Sequence, residues 1–288
     1  MVMVGVIGGT GLGEALGALG GETRVVETPF GPPSGPIALT DVGGVPVALL
    51  SRHGEGHLLN PSRVPYRANI FALKSLGVTH VLASGAAGSL REEIQPRQLV
   101  LPDQIIDRTF RRAGTFFEDF AVHVEFAAPF CGTLRNALAE AATGLSTRVH
   151  QGGTYVCMEG PQFSTRAESE LHRSWGGSLI GMTAMPEAKL AREAELCYAL
   201  VALPTDYDCW RPHPAHVDQQ KLIEEILGNV KVATQNALEL IRRTIPALAA
   251  SDKPCSCQSA LALAIWSDRA RIPSGVRERL QVLVGKYL

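Results

Sequence analysis

Two aspartates that follow an apolar segment are the strongest candidates for acid–base chemistry. Residues 197–203 are apolar, and Thr205, Asp206, Tyr207 and Asp208 come directly after them. If the chain stays extended, side chains at i and i+2 point to the same side, so Asp206 and Asp208 would lie together. Two neighbouring carboxyl groups can divide their roles, one protonated as an acid and one ionised as an acceptor. The alternative is a capping or turn pair before a helix.

A second candidate follows the apolar segment 45–50. Arg52 and His53 place a guanidinium beside an imidazole, a combination suited to binding an oxyanion. A solvated surface charge explains Arg52 equally well on this pattern alone. His53, Glu55 and His57 alternate with glycine, and their spacing differs from the helical H-E-x-x-H zinc motif. We therefore expect no metal at these residues.

Segments of small residues follow two further apolar segments. The cluster at 8–13 has glycine at positions 8, 9, 11 and 13, which fits neither G-x-G-x-x-G nor G-x-x-x-x-G-K-[ST]. Its backbone N–H groups and the Thr10 hydroxyl could bind a free phosphate, and a plain tight turn is the alternative. Residues 84–89 permit either close approach of the backbone to a ligand or close helix packing.

The loop 159–164 and a pair of late cysteines are less specific. Phe163 could stack on a flat ligand or anchor the core, and Ser164 adds a hydroxyl beside it. Cys255 and Cys257 are too close together for a conventional zinc pair, and no second pair has suitable spacing. A disulfide, inert thiols and weak metal binding stay open for them, with an inert or structural role favoured.

The elements that must position these residues alternate between strand-like and helical patterns. Short runs rich in Val, Ile and Leu predict strands at 2–7, 45–50, 80–83, 98–101, 153–158, 179–182 and 197–203. Helical spacing predicts helices at 66–76, 132–142, 165–175, 186–194 and 217–244. Gly43 and Gly44 predict a hairpin, so the sheet should be mixed. The pattern favours a single α/β domain over 1–288, with a C-terminal helical tail from about residue 252.

Composition and charge exclude several classes of function. Lys and Arg number 27 against 28 Asp and Glu, giving a net charge of −1, whereas a nucleic-acid-binding domain usually has a basic excess. No segment approaches the roughly 18 apolar residues of a membrane span, and the apolar start resembles a first strand more than a signal peptide. We therefore expect a cytoplasmic protein with a small-molecule partner, neither nucleic acid nor membrane.

Taken together, these motifs resemble one known family. The chain is similar to 5'-methylthioadenosine phosphorylases, members of the trimeric purine nucleoside phosphorylase family, over residues 4 to about 247. The resemblance is most specific in GSLREEIQP (88–96) and TDYDCW (205–210). It is supported by IGGTGL (7–12), TPFG (28–31), RHG (52–54), YRANIFAL (66–73), EGP (159–161), FS (163–164), MT (182–183) and PE (186–187). The tail with its two cysteines resembles that of archaeal and thermophilic members.

The resemblance implies a central mixed, barrel-like sheet flanked by helices, assembled as a homotrimer. It implies phosphorolysis of 5'-methylthioadenosine to adenine and 5-methylthioribose 1-phosphate, in purine and methionine salvage. Phosphate is then a co-substrate, and no metal or organic cofactor is used. The alternative is a broader purine nucleoside phosphorylase or a 5'-methylthioinosine phosphorylase.

The resemblance also assigns roles to residues. Phosphate would bind Thr10, Arg52, His53, the backbone at Ala86, and Thr183. Asp206 would be the catalytic partner of purine N7, and this acid role requires burial. Substrate contacts would come from Phe163, Ser164, Met182, Asp208, Leu222 and Ile223, with His123 reaching the 5' end of the substrate in a neighbouring subunit.

Four positions depart from the family pattern. Gly85 stands where relatives often carry a hydroxyl or amide side chain, so one phosphate contact is either missing or supplied by Ser84. Gln162 replaces a common arginine, Gly181 an asparagine of some relatives, and Gln219 an apolar pocket residue. These departures bear on specificity at the 5' position.

Overall fold

The computed structural model describes residues 2–9, 21–211, 218–249 and 255–288. Thr10 and the rest of the second half of the glycine cluster lie outside the described residues, as does the side chain of Gln219. Within the described part of the chain, no helix is long and apolar enough to cross a membrane.

Among the described residues, eleven strands form one mixed sheet. They are β1 Val4–Gly8, β2 Glu22–Arg24, β3 Ile37–Val42, β4 Val45–Ser51, β5 His80–Ser89, β6 Leu99–Leu101, β7 Gln104–Arg108, β8 Val149–Gln151, β9 Thr154–Met158, β10 Gly177–Gly181 and β11 Cys197–Asp206. The longer helices are α1 Tyr66–Ser75, α2 Gly132–Ala141, α3 Arg166–Ser174, α4 Ala184–Glu193 and α5 Gln219–Ala249.

Strand β5 is the centre of the sheet because it has three partners. Its first half pairs parallel with β1, and its last two residues pair antiparallel with β10 on the far side of a gap. Strand β11 runs parallel to β5 along almost its whole length, from Cys197 beside His80 to Asp206 beside Gly88. On this edge of β5, residues 84–87 lie between the β1 and β10 pairings and have no strand partner there in the described part of the chain.

The core lies on both faces of this sheet, as alternation of side chains along a strand requires. Ile7 and Leu200 point into one apolar cluster, which also contains residues of α1 and α4. Their neighbours Val6 and Val201 point into the other cluster, with residues of α2 and α5. Helices thus cover both faces of a mixed sheet, which confirms the predicted α/β class.

Most predicted elements are found with changes of one or two residues at their ends, but β5 continues six residues past the predicted end at 83 and α5 continues five past 244. The hairpin at Gly43 and Gly44 is confirmed, with Val42 paired to Val45. Strands β2, β7 and β8 were not predicted, because they are short and mostly polar. Residues 255–288 contain two 3₁₀ turns and two short helices, α6 Ser274–Arg279 and α7 Gln281–Val284.

Candidate active site

One cavity of about 430 Å³ lies where the ends of β4, β5, β10 and β11 meet. That volume suits a nucleoside-sized ligand. Eight of the predicted site residues line it, namely Arg52, His53, Ala86, Phe163, Met182, Thr183, Asp206 and Asp208. The sequence separates these residues by more than 150 positions, and the sheet brings them together.

The position of the cavity follows from the change of partner along β5. Gly85, Ala86, Ala87 and Gly88 line the cavity, and three of them lie between the β1 and β10 pairings. The predicted strand ended at residue 83, but β5 continues to Ser89, because the small residues that follow pair with β11 as far as Gly88. A sheet that changes partner in this way opens a cleft at its strand ends, where ligands of α/β proteins bind.

Arg52 is buried at one end of the cavity, so the surface-charge interpretation is wrong. Its Nε and Nη2 donate to the two Glu187 oxygens at 2.7 and 2.8 Å, and Nη1 donates to the Ser84 carbonyl at 2.7 Å. Burial alone would lower the pKa of Arg52, but the charge and hydrogen bonds of Glu187 raise it. Tyr198 also donates to Glu187, at 2.8 Å. The guanidinium is thereby fixed in one orientation.

His53 lies beside Arg52 as a neutral imidazole. Its Nδ1 is 2.7 Å from the Leu59 carbonyl oxygen. A carbonyl oxygen only accepts, so Nδ1 carries the hydrogen and Nε2 is an acceptor. Burial, together with the charge of Arg52, lowers the pKa of His53 to about 4. The ring stacks on His57 with centroids 4.1 Å apart.

Thr183 and the small residues of β5 complete this end of the cavity. A side chain at Gly85 would begin 3.2 Å from the Thr183 Oγ1, so the glycine leaves that hydroxyl accessible to the cavity. Ser84 Oγ accepts a 3.4 Å hydrogen bond from the Gly9 N–H and does not line the cavity. Of the two alternatives at Gly85, this arrangement favours the missing contact over one supplied by Ser84.

Asp206 stands at the opposite end, as the last residue of β11. Its Oδ1 accepts from the Asp208 N–H at 2.7 Å, and its Oδ2 lies 2.7 Å from the Thr205 Oγ1. The Thr205 hydroxyl also lies 3.4 Å from the Ala87 carbonyl. When the Thr205 hydroxyl donates to that carbonyl, its oxygen can accept a hydrogen bond from a protonated Oδ2 of Asp206. The site thus accommodates either protonation state of Asp206, which is half-buried.

Asp208 reaches the cavity by a turn, and the premise of an extended chain is wrong. Its φ is 51°, a left-handed conformation that aspartate tolerates better than most residues. Ser169 Oγ donates to Asp208 Oδ2 at 2.5 Å, which fixes the carboxylate. A Cβ at Gly88 would lie only 3.1 Å from the Cβ of Asp208. Gly88 therefore makes room for both aspartates.

The wall between the two ends depends on a buried ion pair. The Arg112 Nε donates to Glu159 at 3.1 Å, and its Nη1 donates to the carbonyls of Met182 and Met185 at 2.5 and 2.7 Å. Burial would raise the pKa of Glu159, but hydrogen bonds from Ser62 and the Phe110 N–H, together with Arg112, lower it. This network holds Met182 at the cavity wall.

The outer rim is more exposed. Phe163 is 84% exposed although it lines the cavity. Ser164 does not line it, and its Oγ faces the Met158 sulfur at 3.8 Å. Gln162 is exposed. At Gly181 a side chain would overlap the Tyr155 hydroxyl, which explains why asparagine is absent there.

Three predicted contacts are not brought to the cavity of this chain. Leu222 and Ile223 lie in the first turns of α5, and Ile223 is 58% exposed. His123 is exposed and packs edge-on against Trp266, with ring centroids 4.7 Å apart. None of the three is among the lining residues.

Sequence reasoning missed the residues that act through others. Glu187, Arg112 and Ser169 orient Arg52, Met182 and Asp208 respectively, and none of them was singled out. A buried charged side chain has no distinctive local pattern, and its partner is more than 35 positions away in each case. Glu187 could have been noted only through the PE motif at 186–187.

The arrangement can bind an anion at one end and a flat, nitrogen-rich ring at the other. A guanidinium, a threonine hydroxyl and strand backbone face one end, and two carboxyl groups face the other. Such a cavity can deliver an oxyanion to a carbon while an acid stabilises a leaving nitrogen base.

Comparison with known proteins places this chain among phosphorylases. The model of the family described as "Phosphorylase superfamily" matches residues 3–246. The chain is 49% identical to an S-methyl-5'-thioadenosine phosphorylase of Geobacter sulfurreducens, over 99% of each chain. It resembles the crystal structure of a methylthioadenosine phosphorylase from an antarctic soil metagenomic library, with a TM-score of 0.90, 42% identity and 98% of each chain covered.

A second solved structure has a bound nucleoside. It is a mutant adenosine/methylthioadenosine phosphorylase from Schistosoma mansoni in complex with methylthioadenosine. The TM-score is 0.84 at 36% identity, covering 91% of this chain and 97% of that one.

Proposed function

The chain belongs to the phosphorylase superfamily, and we propose that it cleaves 5'-methylthioadenosine with inorganic phosphate. The products are adenine and 5-methylthioribose 1-phosphate. The relatives named S-methyl-5'-thioadenosine phosphorylase match over nearly the whole chain, which supports the enzyme class and the substrate. The reaction serves purine and methionine salvage in the cytoplasm.

One observation carries the proposal: a single cavity has an anion-binding end and a two-carboxylate end. Breaking the bond between C1' and N9 builds positive charge on the sugar and negative charge on the purine. Phosphate at the first end supplies the nucleophile and the counter-charge. A carboxylic acid at the second end neutralises the leaving group.

Phosphate is held by Arg52, Thr183, the backbone near Ala86, and Thr10. Glu187 takes two of the five N–H donors of Arg52, and Ser84 takes one, which leaves two for the anion. His53 Nε2 accepts from the hydroxyl of monoprotonated phosphate, since the neutral imidazole has no hydrogen on that atom. Asp206 then protonates purine N7 or shares a proton with it. The bound substrate completes the burial of the Asp206 carboxyl group.

Asp208 selects the base. A carboxylate held by Ser169 accepts from the 6-amino group of adenine, whereas a 6-oxo group would face it with a lone pair. This favours 6-aminopurines over the 6-oxopurine alternative. Phe163 packs on the purine when substrate binds, with Ser164 near its amino edge, and Met182 lies along the ribose hydroxyls.

A homotrimer completes the 5' end of the site. His123 and its neighbour Trp266 are exposed, which leaves them available to a second subunit. Leu222 and Ile223, in the first turns of α5, form the apolar methylthio pocket. The reaction uses no metal or organic cofactor.

The test is adenine release from methylthioadenosine, with and without phosphate and with and without EDTA. We expect release to require phosphate and to be unchanged by EDTA, because no group of metal ligands lines the described part of the cavity. Release at the same rate without phosphate would contradict the proposal, as would loss on chelation from a protein whose circular dichroism and unfolding midpoint are unchanged, since the lost metal would then act in the reaction.

A further inference from the structure

Four cysteines that are far apart in sequence meet away from the cavity. The sulfurs of Cys131, Cys197, Cys255 and Cys257 all lie within 4.8 Å of one another. Among the described residues they are the only cluster of three or more His, Cys, Asp or Glu side chains spaced to hold a metal ion. None of the four lines the cavity, so the reaction leaves them unexplained.

The distances between the four sulfur atoms fit coordination of one metal ion better than they fit two disulfide bonds. Zinc binds four thiolates in a tetrahedron at about 2.3 Å, which sets neighbouring sulfurs about 3.8 Å apart by the tetrahedral angle. Cys131 and Cys255 have their sulfurs 3.5 Å apart, and all six cysteines are free thiols. Two disulfides would divide the four sulfurs into separate pairs, whereas here all four are mutual neighbours.

The ligands come from rigid parts of the fold. Cys131 is the N-cap of α2, and its N–H donates to the Tyr198 carbonyl at 2.8 Å. Cys197 begins β11, with its N–H bonded to the Thr79 carbonyl at 3.0 Å. Cys255 and Cys257 flank the start of a 3₁₀ turn. Ligands fixed in this way need little reorganisation on binding.

The four-thiol group contains no carboxylate or imidazole. Cys131, Cys197 and Cys257 are buried in the same apolar cluster as α2 and α5. The Leu134 N–H, in the first turn of α2, donates to the Cys131 sulfur at 3.4 Å, and the positive end of a helix stabilises a nearby thiolate.

We propose that Cys131, Cys197, Cys255 and Cys257 form a structural zinc site. Binding displaces the thiol protons to solvent and leaves no open coordination position, so the ion is structural and takes no part in the reaction. The site fastens the chain after α5 to α2 and β11. It thereby supports residues 255–288, which include Trp266 beside His123.

The sequence alone argued against this site because Cys255 and Cys257 lack a second pair at zinc-finger spacing. The missing ligands are more than 120 and more than 55 positions away, on a helix cap and a strand. Only the fold brings them to the tail.

The experiment measures metal content of the full chain, expressed with zinc and purified without chelator. We expect about one zinc per chain by elemental mass spectrometry. Replacement by Co²⁺ should give the thiolate-to-cobalt charge-transfer bands and intense visible bands of a tetrahedral sulfur site. Cys255→Ser should lose most of the metal, and Cys209→Ser, which changes a cysteine outside the cluster, should keep it.

Wild-type protein without zinc overturns the proposal, whether its thiols are free or its mass shows that disulfides have formed. Equal zinc in Cys255→Ser and Cys209→Ser also overturns it, because the ion would then lie elsewhere. The wild-type measurement decides the question even if a variant folds poorly.

Discussion

The two ends of the cavity are built differently. At the end that we propose binds phosphate, Arg52 is fully buried and donates two hydrogen bonds to Glu187, which is itself buried. At the base end, Asp206 and Asp208 are half-buried and Phe163 is 84% exposed. One end is preorganised for a small anion, and the other is completed by the substrate.

This difference has a chemical reason. An oxyanion must be held against a developing positive charge, so fixed donors are most effective when they need no rearrangement. The purine must enter and leave, and a partly exposed rim permits both. Changes at the two ends should therefore affect different measurements.

The largest effect should come from the catalytic carboxyl group. We expect Asp206→Ala to lower kcat by roughly 10²- to 10⁴-fold, the range for loss of a positioned general acid. Steady-state kinetics with methylthioadenosine at saturating phosphate measure this. Tyr207→Phe is the matched control, because its hydroxyl faces the Glu92 carbonyl at 3.4 Å outside the cavity. A kcat of Asp206→Ala within about twofold of wild type would assign N7 protonation to another group.

The buried pair at the phosphate end should control stability. Glu187→Gln leaves the Arg52 charge uncompensated, and we expect a loss of about 3–5 kcal/mol in the free energy of unfolding. Glu239→Gln is the control, since its ion pair with Arg243 is 40–48% exposed and should be worth at most about 1 kcal/mol. Urea unfolding at one protein concentration measures both. Equal losses in the two variants would show that the buried Arg52–Glu187 pair contributes no more to stability than a surface ion pair.

A smaller change is expected in base preference. Wild type should cleave methylthioadenosine much faster than methylthioinosine, because the Asp208 carboxylate would face the lone pairs of the 6-oxo oxygen. Asp208→Asn provides an amide that can donate or accept a hydrogen bond. The ratio of kcat/KM for methylthioadenosine to kcat/KM for methylthioinosine should therefore fall by about 10-fold or more. Ser169→Ala should narrow it less, through a looser carboxylate. A wild-type enzyme that cleaves both substrates equally well contradicts the role of Asp208.

How much of this could be predicted is clear from particular residues. The apolar runs located β1, β4, β11 and the first part of β5, since a strand buried on both faces has a short, near-continuous run of apolar residues rich in Val, Ile and Leu. Asp206, Asp208, Arg52 and His53 were identified because they follow such strands. Glu187 and Ser169 were not, because a positioning residue is defined by a partner distant in sequence.

The cysteines show the same limit. Cys131 and Cys197 have no pattern that relates them to the tail, and their meeting depends on how α2 and β11 pack. The turn at Asp208 was also beyond prediction, since its φ of 51° depends on Ser169 and on the space at Gly88.

The smallest effect should be the pH dependence of stability from His53. Its pKa falls from 6.5 when unfolded to about 4 in the folded chain. The lowered pKa of His53 contributes to the free energy of unfolding. That stabilisation is complete above pH 6.5 and is lost as the pH falls toward 4, because the unfolded state binds the proton more readily. Glu193, whose pKa burial raises to about 7, has the opposite trend.

The difference between wild type and His53→Gln isolates the histidine. We expect the wild-type protein to lose more stability than the variant between pH 6.5 and 4.5. Parallel losses over that range would mean that His53 titrates equally in the folded and unfolded states.

The central claim, that phosphate and not water attacks C1', is tested by the source of the oxygen on the sugar product. Methylthioadenosine is cleaved with unlabelled phosphate in ¹⁸O-water, and the products are analysed by mass spectrometry. We expect adenine and 5-methylthioribose 1-phosphate with no ¹⁸O at C1, because the new bond is made by a phosphate oxygen. Free methylthioribose as the initial product, formed without any sugar phosphate before it, would show that the chain is a hydrolase.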